Sequence, residues 1–311
     1  MAVYNPQSNI LFLHVPKSAG SSITHSFFST LLAYIQKGKP LGTSHSRTNI
    51  KGMHEIFDDS TNVEDCFIFS TVRNPYERFY SFYFTHMLKK RRVCPKDFTK
   101  DNFESFIIND YQPFIKCKLT SRKDSQDPQT ACRDMNFRAW IQNDKMVDRK
   151  VCQNIYKKYY SLEDTLEQPG IRYLLFDNIQ EEYRQLLDLV LRAGIVDCDY
   201  KSLEALEQNI RSTHQKFKES EGRGRPEYVR VIDQGLQLVN IAPSRGPNRY
   251  TNSQNPELKD RDPINFYTPK ARKVFDRFNQ EDIKFYNKLK SMSFEERFED
   301  PTTYFDLVKD D

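Results

Sequence analysis

Closely spaced cysteines are missing from this chain: of Cys66, Cys94, Cys117, Cys132, Cys152 and Cys198, the nearest two are Cys117 and Cys132. That excludes a CxxC redox motif and zinc-finger spacing. The six histidines form neither HxxxH nor HExxH, so the sequence offers no metal-ligand pattern. Long apolar runs are absent as well. None approaches the roughly 20 residues that span a bilayer, and residues 1–9 lack the basic start and apolar stretch of a secretory leader. The expectation is a soluble, cytoplasmic protein with free thiols and no membrane partner. Hydrophobic residues are few, at 38%, yet aromatics reach 13% with 23 Phe and 17 Tyr. Disordered chains are poor in aromatic residues, so a folded protein with an aromatic core and a polar surface follows. The net charge of +4, from 47 basic and 43 acidic residues, is too mild to argue for nucleic acid. It suits a pocket for a multiply charged anion.

At 311 residues the chain is long enough for one large domain, and 1–311 is read as a single unit. Residues 10–15, ILFLHV, read as a short buried strand closed by Pro16. Beyond a turn at 16–20, Ile23, Phe27, Leu31 and Ile35 recur at i+4 and signal a helix. Strand, small-residue turn and helix open a parallel α/β sheet. Residues 66–72, CFIFSTV, give a second strand, followed by Asn74 as N-cap and Pro75 at the first helical position. Phe79, Phe82, Tyr83 and Met87 form that helix's apolar face. Residues 171–176 give a third strand, and its helix carries Tyr183, Leu186, Leu187 and Val190, with Gly194 as its stop. Residues 94–170 read as an insertion over the sheet, with helical pieces at 103–108 and 137–141, placed to wall one side of a site. Residues 216–227 are charged and contain two glycines, which reads as a mobile loop. A last helix covers about 269–289.

Chemistry concentrates at 14–22, HVPKSAGSS. Here a strand feeds a turn of small residues that opens a helix, whose unpaired first-turn N–H groups favour phosphate or sulfate. Ser18, Ser21 and Ser22 add hydroxyls, and Lys17 adds a point charge. An ordinary βα turn with a surface lysine would look similar. The ATP and GTP loop GxxxxGK[ST] needs lysine directly after the second glycine, whereas Lys17 precedes Gly20. That order argues against a kinase or NTPase.

The segment resembles the 5′-phosphosulfate loop of PAPS-dependent sulfotransferases (PAPS is 3′-phosphoadenosine 5′-phosphosulfate). It is closest in pattern to the carbohydrate and heparan-sulfate 2-O-sulfotransferase branch, HxPK[ST]xG[ST][ST], which includes soluble microbial members. A second block, VRNPYERFYS at 72–81, resembles the family's 3′-phosphate block VR[ND]PxxRxxS. Residues 173–179, 266–268 and 282–286 carry weaker likeness, and Asp177 stands where the family has glutamate. The resemblance implies a P-loop-like three-layer α/β fold, with a central parallel sheet flanked by helices and a helical insertion. It implies transfer of a sulfuryl group from PAPS to a hydroxyl or amine, releasing PAP, without a metal. It places the donor on Lys17, Ser18, Ala19, Gly20, Ser21 and Ser22, and the 3′-phosphate on Arg73 and Ser81. Arg78 fits either a ligand contact or a structural ion pair.

Sulfuryl transfer needs a cation at the bridging oxygen, a role that suits Lys17, and a base for the acceptor's proton. His54, in KGMHE, resembles the family's histidine before the second block, although Met53 departs from its pattern; His45 is the competitor. Arg249, in the basic turn RGPNR, is a further donor contact by the same resemblance. Residues 89–92, KKRR, read as a solvated helix end and Trp140 as core. A non-catalytic nucleotide- or sulfated-glycan-binding protein on the same fold is the alternative. The expected partner is a small-molecule or glycan acceptor, whose identity the sequence leaves open.

Overall fold

The computed structural model describes residues 2–13, 17–37, 51–52, 66–90, 99–111, 172–221, 233, 235–238 and 263–299. Five strands form one sheet: β1 (Ala2–Asn5), β2 (Ile10–Leu13), β3 (Lys51–Gly52), β4 (Phe67–Val72) and β5 (Arg172–Leu175), in the order β3-β1-β2-β4-β5. β2, β4 and β5 run parallel, with Leu13 opposite Ser70 and Val72 opposite Leu175. The sheet is mixed rather than purely parallel, because β1 folds back on β2 as an antiparallel hairpin and β3 pairs with β1. Asn5 stabilises the hairpin turn by accepting from the Ser8 N–H at 2.9 Å.

The helix after β2, α1, covers 20–37. It opens as an α-turn (Gly20–Ile23), widens to i→i+5 pairing over Thr24–Leu32, and closes as Ala33–Lys37. The wider turn explains why the apolar residues repeat at four rather than 3.6. It also sends neighbouring pairs inward together: Phe27 with Phe28, and Leu31 with Leu32, are all buried. α2 (Pro75–Lys90) starts as the sequence predicts. The Asn74 carboxamide accepts from the Tyr76 N–H at 3.0 Å, and its carbonyl accepts from the Arg78 N–H at 2.8 Å. α3 covers 100–111, an α-helix (Lys100–Ser105) running into a wider Phe106–Tyr111. After β5, a 3-10 turn (Phe176–Asn178) leads into α4 (Ile179–Arg192). Gly194 ends that segment at φ +67, a left-handed conformation costly for any residue with a Cβ.

α5 (Leu203–Glu221) buries Leu203, Leu206 and Ile210. It runs through 216–221, so the first half of the expected loop is helical. KFKESE consists of adequate helix formers, and the first glycine, Gly222, comes only afterwards. α6 (Pro269–Ser291) is capped by Thr268, which accepts from the Ala271 N–H at 3.1 Å, and bends at Asn279. α7 (Phe294–Glu299) follows it.

Adjacent residues on β5 define the layers, because successive side chains leave a strand on opposite faces. Leu174 joins the core of Phe12, Phe69, α1, α4 and α5, in which Phe12 stacks on Phe69 at 4.9 Å. Tyr173 meets Phe285 of α6 edge-on at 5.3 Å. Helices thus cover both faces, and every residue of β4 is buried. A second aromatic cluster centres on Phe103 of α3, 4.9 Å from Tyr83 of α2 and 4.8 Å from Tyr267. This ties the described part of the insertion to α2 and α6. The helical piece expected at 137–141, Trp140, and the basic turn around Arg249 lie outside the described residues. Cys66 and Cys198 are free thiols. Among the described residues no helix is long and apolar enough to cross a membrane, and no cluster of three or more His, Cys, Asp or Glu gathers.

Candidate functional site

β2 and β4 lie side by side and parallel, so the segments leaving their carboxyl ends are neighbours. Open α/β sheets bind ligands at this end. The turn after β2 is strained: Lys17 and Ala19 sit at φ 70 and φ 61, in left-handed conformations that cost a residue with a Cβ on the order of 1 kcal/mol or more. Such turns persist only when neighbours hold them, and here β4 supplies the hold. The Thr71 hydroxyl donates to the Ser18 carbonyl, both buried. Arg73 Nη1 donates to the Lys17 carbonyl at 3.3 Å. The Ala19 carbonyl accepts from the Ile23 N–H at 3.0 Å, starting α1.

Ala19 is the N-cap of α1 and offers no side-chain cap, so the first-turn N–H groups lack that partner. Ser18 is fully buried, and its hydroxyl has no hydrogen-bond partner among the described residues. A buried hydroxyl without a partner costs about 1–3 kcal/mol. An oxyanion at this turn would supply the missing acceptor, so the residues fit a phosphosulfate or phosphate. Gly20 is buried, Ser22 half-buried and Ser21 exposed.

Arg73 is gripped on three sides. Its Nε donates to Glu77 Oε2 at 3.2 Å, Nη1 holds Lys17, and its guanidinium lies 4.2 Å over the Phe176 ring. Burial pushes its pKa down, and the Glu77 carboxylate opposes that shift. The guanidinium stays charged regardless. Among the described residues Nη2 has no partner, which leaves one edge of the fork for a ligand. Arg73, Glu77 and Ser81 follow one another at i+4, so Ser81, half-buried, lies one turn further along the same stripe. Arg78 is buried at 8% exposed, not a solvated helix residue. The other anticipated residues, His54, His45 and Arg249, lie outside the described residues, as does His14.

Thr71, Glu77 and Phe176 were not singled out in the sequence. Thr71 carried a signal: a polar residue in a buried strand, two positions before Arg73 and hence on its side of the chain. Phe176 gave none, since its contact with Arg73 spans two strands. Asp177, at the family's glutamate position, accepts from the Tyr286 hydroxyl at 2.5 Å and from Lys290 Nζ at 2.9 Å. Burial first, then the Asp177 hydrogen bond, raise the Tyr286 pKa to about 12.

No curated protein and no solved structure shows significant similarity to the chain. The profile of the sulfotransferase family, by contrast, matches residues 1–288. That stretch contains the strained turn, the arginine that grips it and the helices on both sheet faces, and by this match the chain belongs to the sulfotransferase family.

Proposed function

We propose that this sulfotransferase takes its sulfuryl group from PAPS and delivers it to a hydroxyl or amine of a small-molecule or carbohydrate acceptor, releasing PAP. The observation that carries the reading is the buried Ser18 hydroxyl, without a partner among the described residues, in a left-handed turn tied directly to Arg73. One anion-binding turn is common. A turn coupled to a second, half-free guanidinium suits a donor with two separate anionic groups.

In this reading the turn is a P-loop-like cradle. Backbone N–H groups of Gly20, Ser21 and Ser22, with the serine hydroxyls, hold the 5′-phosphosulfate, and Arg73 with Ser81 holds the 3′-phosphate. Lys17 stabilises the bridging oxygen as it takes the electron pair of the breaking S–O bond. His54, with His45 as competitor, accepts the acceptor's proton as the new bond to sulfur forms. Arg249 closes on the adenosine side, and 94–170 forms the acceptor wall. No metal ion is needed to balance the charge. The carbohydrate-type branch in a soluble, cytoplasmic setting, without nucleic acid or membrane as partner, completes the proposal.

The test is incubation of the full chain with PAPS and an acceptor library, read by the mass gain of one SO₃ and release of PAP. Transfer that is lost in His54→Ala, with PAP binding retained, supports the reading. PAP binding with no transfer to any hydroxyl or amine would favour the non-catalytic binder instead.

A further inference from the structure

The carboxyl ends of three successive parallel strands meet at one point. β2 supplies Lys17, β4 supplies Arg73, and β5 delivers Phe176 beneath the Arg73 guanidinium at 4.2 Å. A ring against one face removes that face from solvent and confines the N–H donors to the guanidinium plane. In that plane Glu77 takes Nε and the Lys17 carbonyl takes Nη1. The ring itself is anchored. The following residue, Asp177, is held by Tyr286 and Lys290 of α6, and the Phe176 carbonyl closes the 3-10 turn before α4 by accepting from the Ile179 N–H.

We propose that Phe176 is a positioning residue for donor selection: its ring fixes Arg73 in the orientation that reads a 3′-phosphate, and α6 holds the ring in place through Asp177. This rests on the donor reading above. It adds that discrimination between 3′-phosphorylated nucleotides and those lacking the group depends on a residue that touches no phosphate.

The experiment is titration calorimetry of PAP and of 5′-AMP, which lacks the 3′-phosphate, against the wild type, Phe176→Leu, Phe176→Tyr and Arg73→Ala. The expected result is a PAP affinity about five- to thirtyfold weaker in Phe176→Leu, with 5′-AMP affinity unchanged and PAP affinity restored in Phe176→Tyr. Loss of both affinities in Phe176→Leu overturns the proposal, since a merely structural ring would act on both. Wild-type PAP affinity in Phe176→Leu, with a loss in Arg73→Ala, also overturns it while leaving the donor reading intact. If the wild type binds PAP no better than 5′-AMP, the donor reading itself fails and the inference falls with it.

Discussion

Arg73 is held by the fold, and in the proposed reading the same side chain serves the ligand. Two of its edges and one face are committed to protein, so little rotamer entropy remains to be lost when a phosphate arrives. Arg73→Ala should therefore weaken PAP binding by about 2–4 kcal/mol, measured by calorimetry; unchanged affinity would remove the second block from the donor site. Lys17 differs, because its charge matters most when the leaving oxygen becomes anionic. Lys17→Ala should lower turnover by about two to three orders of magnitude while changing KM for PAPS little. A rise in KM with turnover intact would make it a binding residue. Thr71→Val deletes the donor that satisfies the Ser18 carbonyl. It should cost about 1–3 kcal/mol in urea unfolding. Lys17 and Arg73 were legible because each lies in a short local pattern. Phe176 acts through a contact with a residue far away in sequence, which no local pattern records, and Thr71 showed only as a polar residue in a buried strand.

At the level of elements, β5 is flanked by β4 on one side, and its other edge is closed by helices. The Glu182 carboxylate accepts from the Leu175 N–H, Arg297 donates to the Tyr173 carbonyl at 2.6 Å, and the two side chains pair at 2.6 Å. Both are nearly inaccessible, at 3% and 6% side-chain exposure. A buried pair adds modest stability, but breaking it strands a charge. Glu182→Ala should cost about 3–5 kcal/mol by urea unfolding, and adding Arg297→Met should recover part of the loss. If Glu182→Ala unfolds like the wild type, the pair does not secure the edge. Tyr286 gives a pH signature. Its folded pKa of about 12 lies above the ordinary tyrosine value of 10.0, so the unfolded phenol loses its proton first. Its contribution is complete below the unfolded pKa and fades as pH rises towards 12. Tyr286→Phe should therefore show a shallower loss of stability than the wild type over that window. Long, periodic helices were legible in the sequence, down to the Asn74 cap and the Gly194 stop. The β1 hairpin was not, because a four-residue strand is too short to display a period. α5 was not read as a helix at all: its apolar positions Leu203, Leu206 and Ile210 were not recognised as a face, and the glycines beyond it dominated the reading of 216–227.

Across the whole molecule, three parallel strands place a strained turn, an arginine and an aromatic ring at one end of a sheet covered by helices on both faces. Each strand brings one part of the site, and the aromatic cluster around Phe103 fastens the 99–111 segment to the same assembly. Ligand at the turn should thus stabilise the fold as a unit, since binding to the folded state alone raises its stability by mass action. PAPS as the donor is tested by a thermal-shift measurement on the full chain with PAP, compared with ATP plus magnesium. A PAPS-type donor site gives a rise in Tm of about 4 °C or more with PAP at a hundredfold excess over Kd, its loss in Arg73→Ala, and no comparable shift with ATP and magnesium. Stabilisation by ATP and magnesium but not by PAP would contradict it.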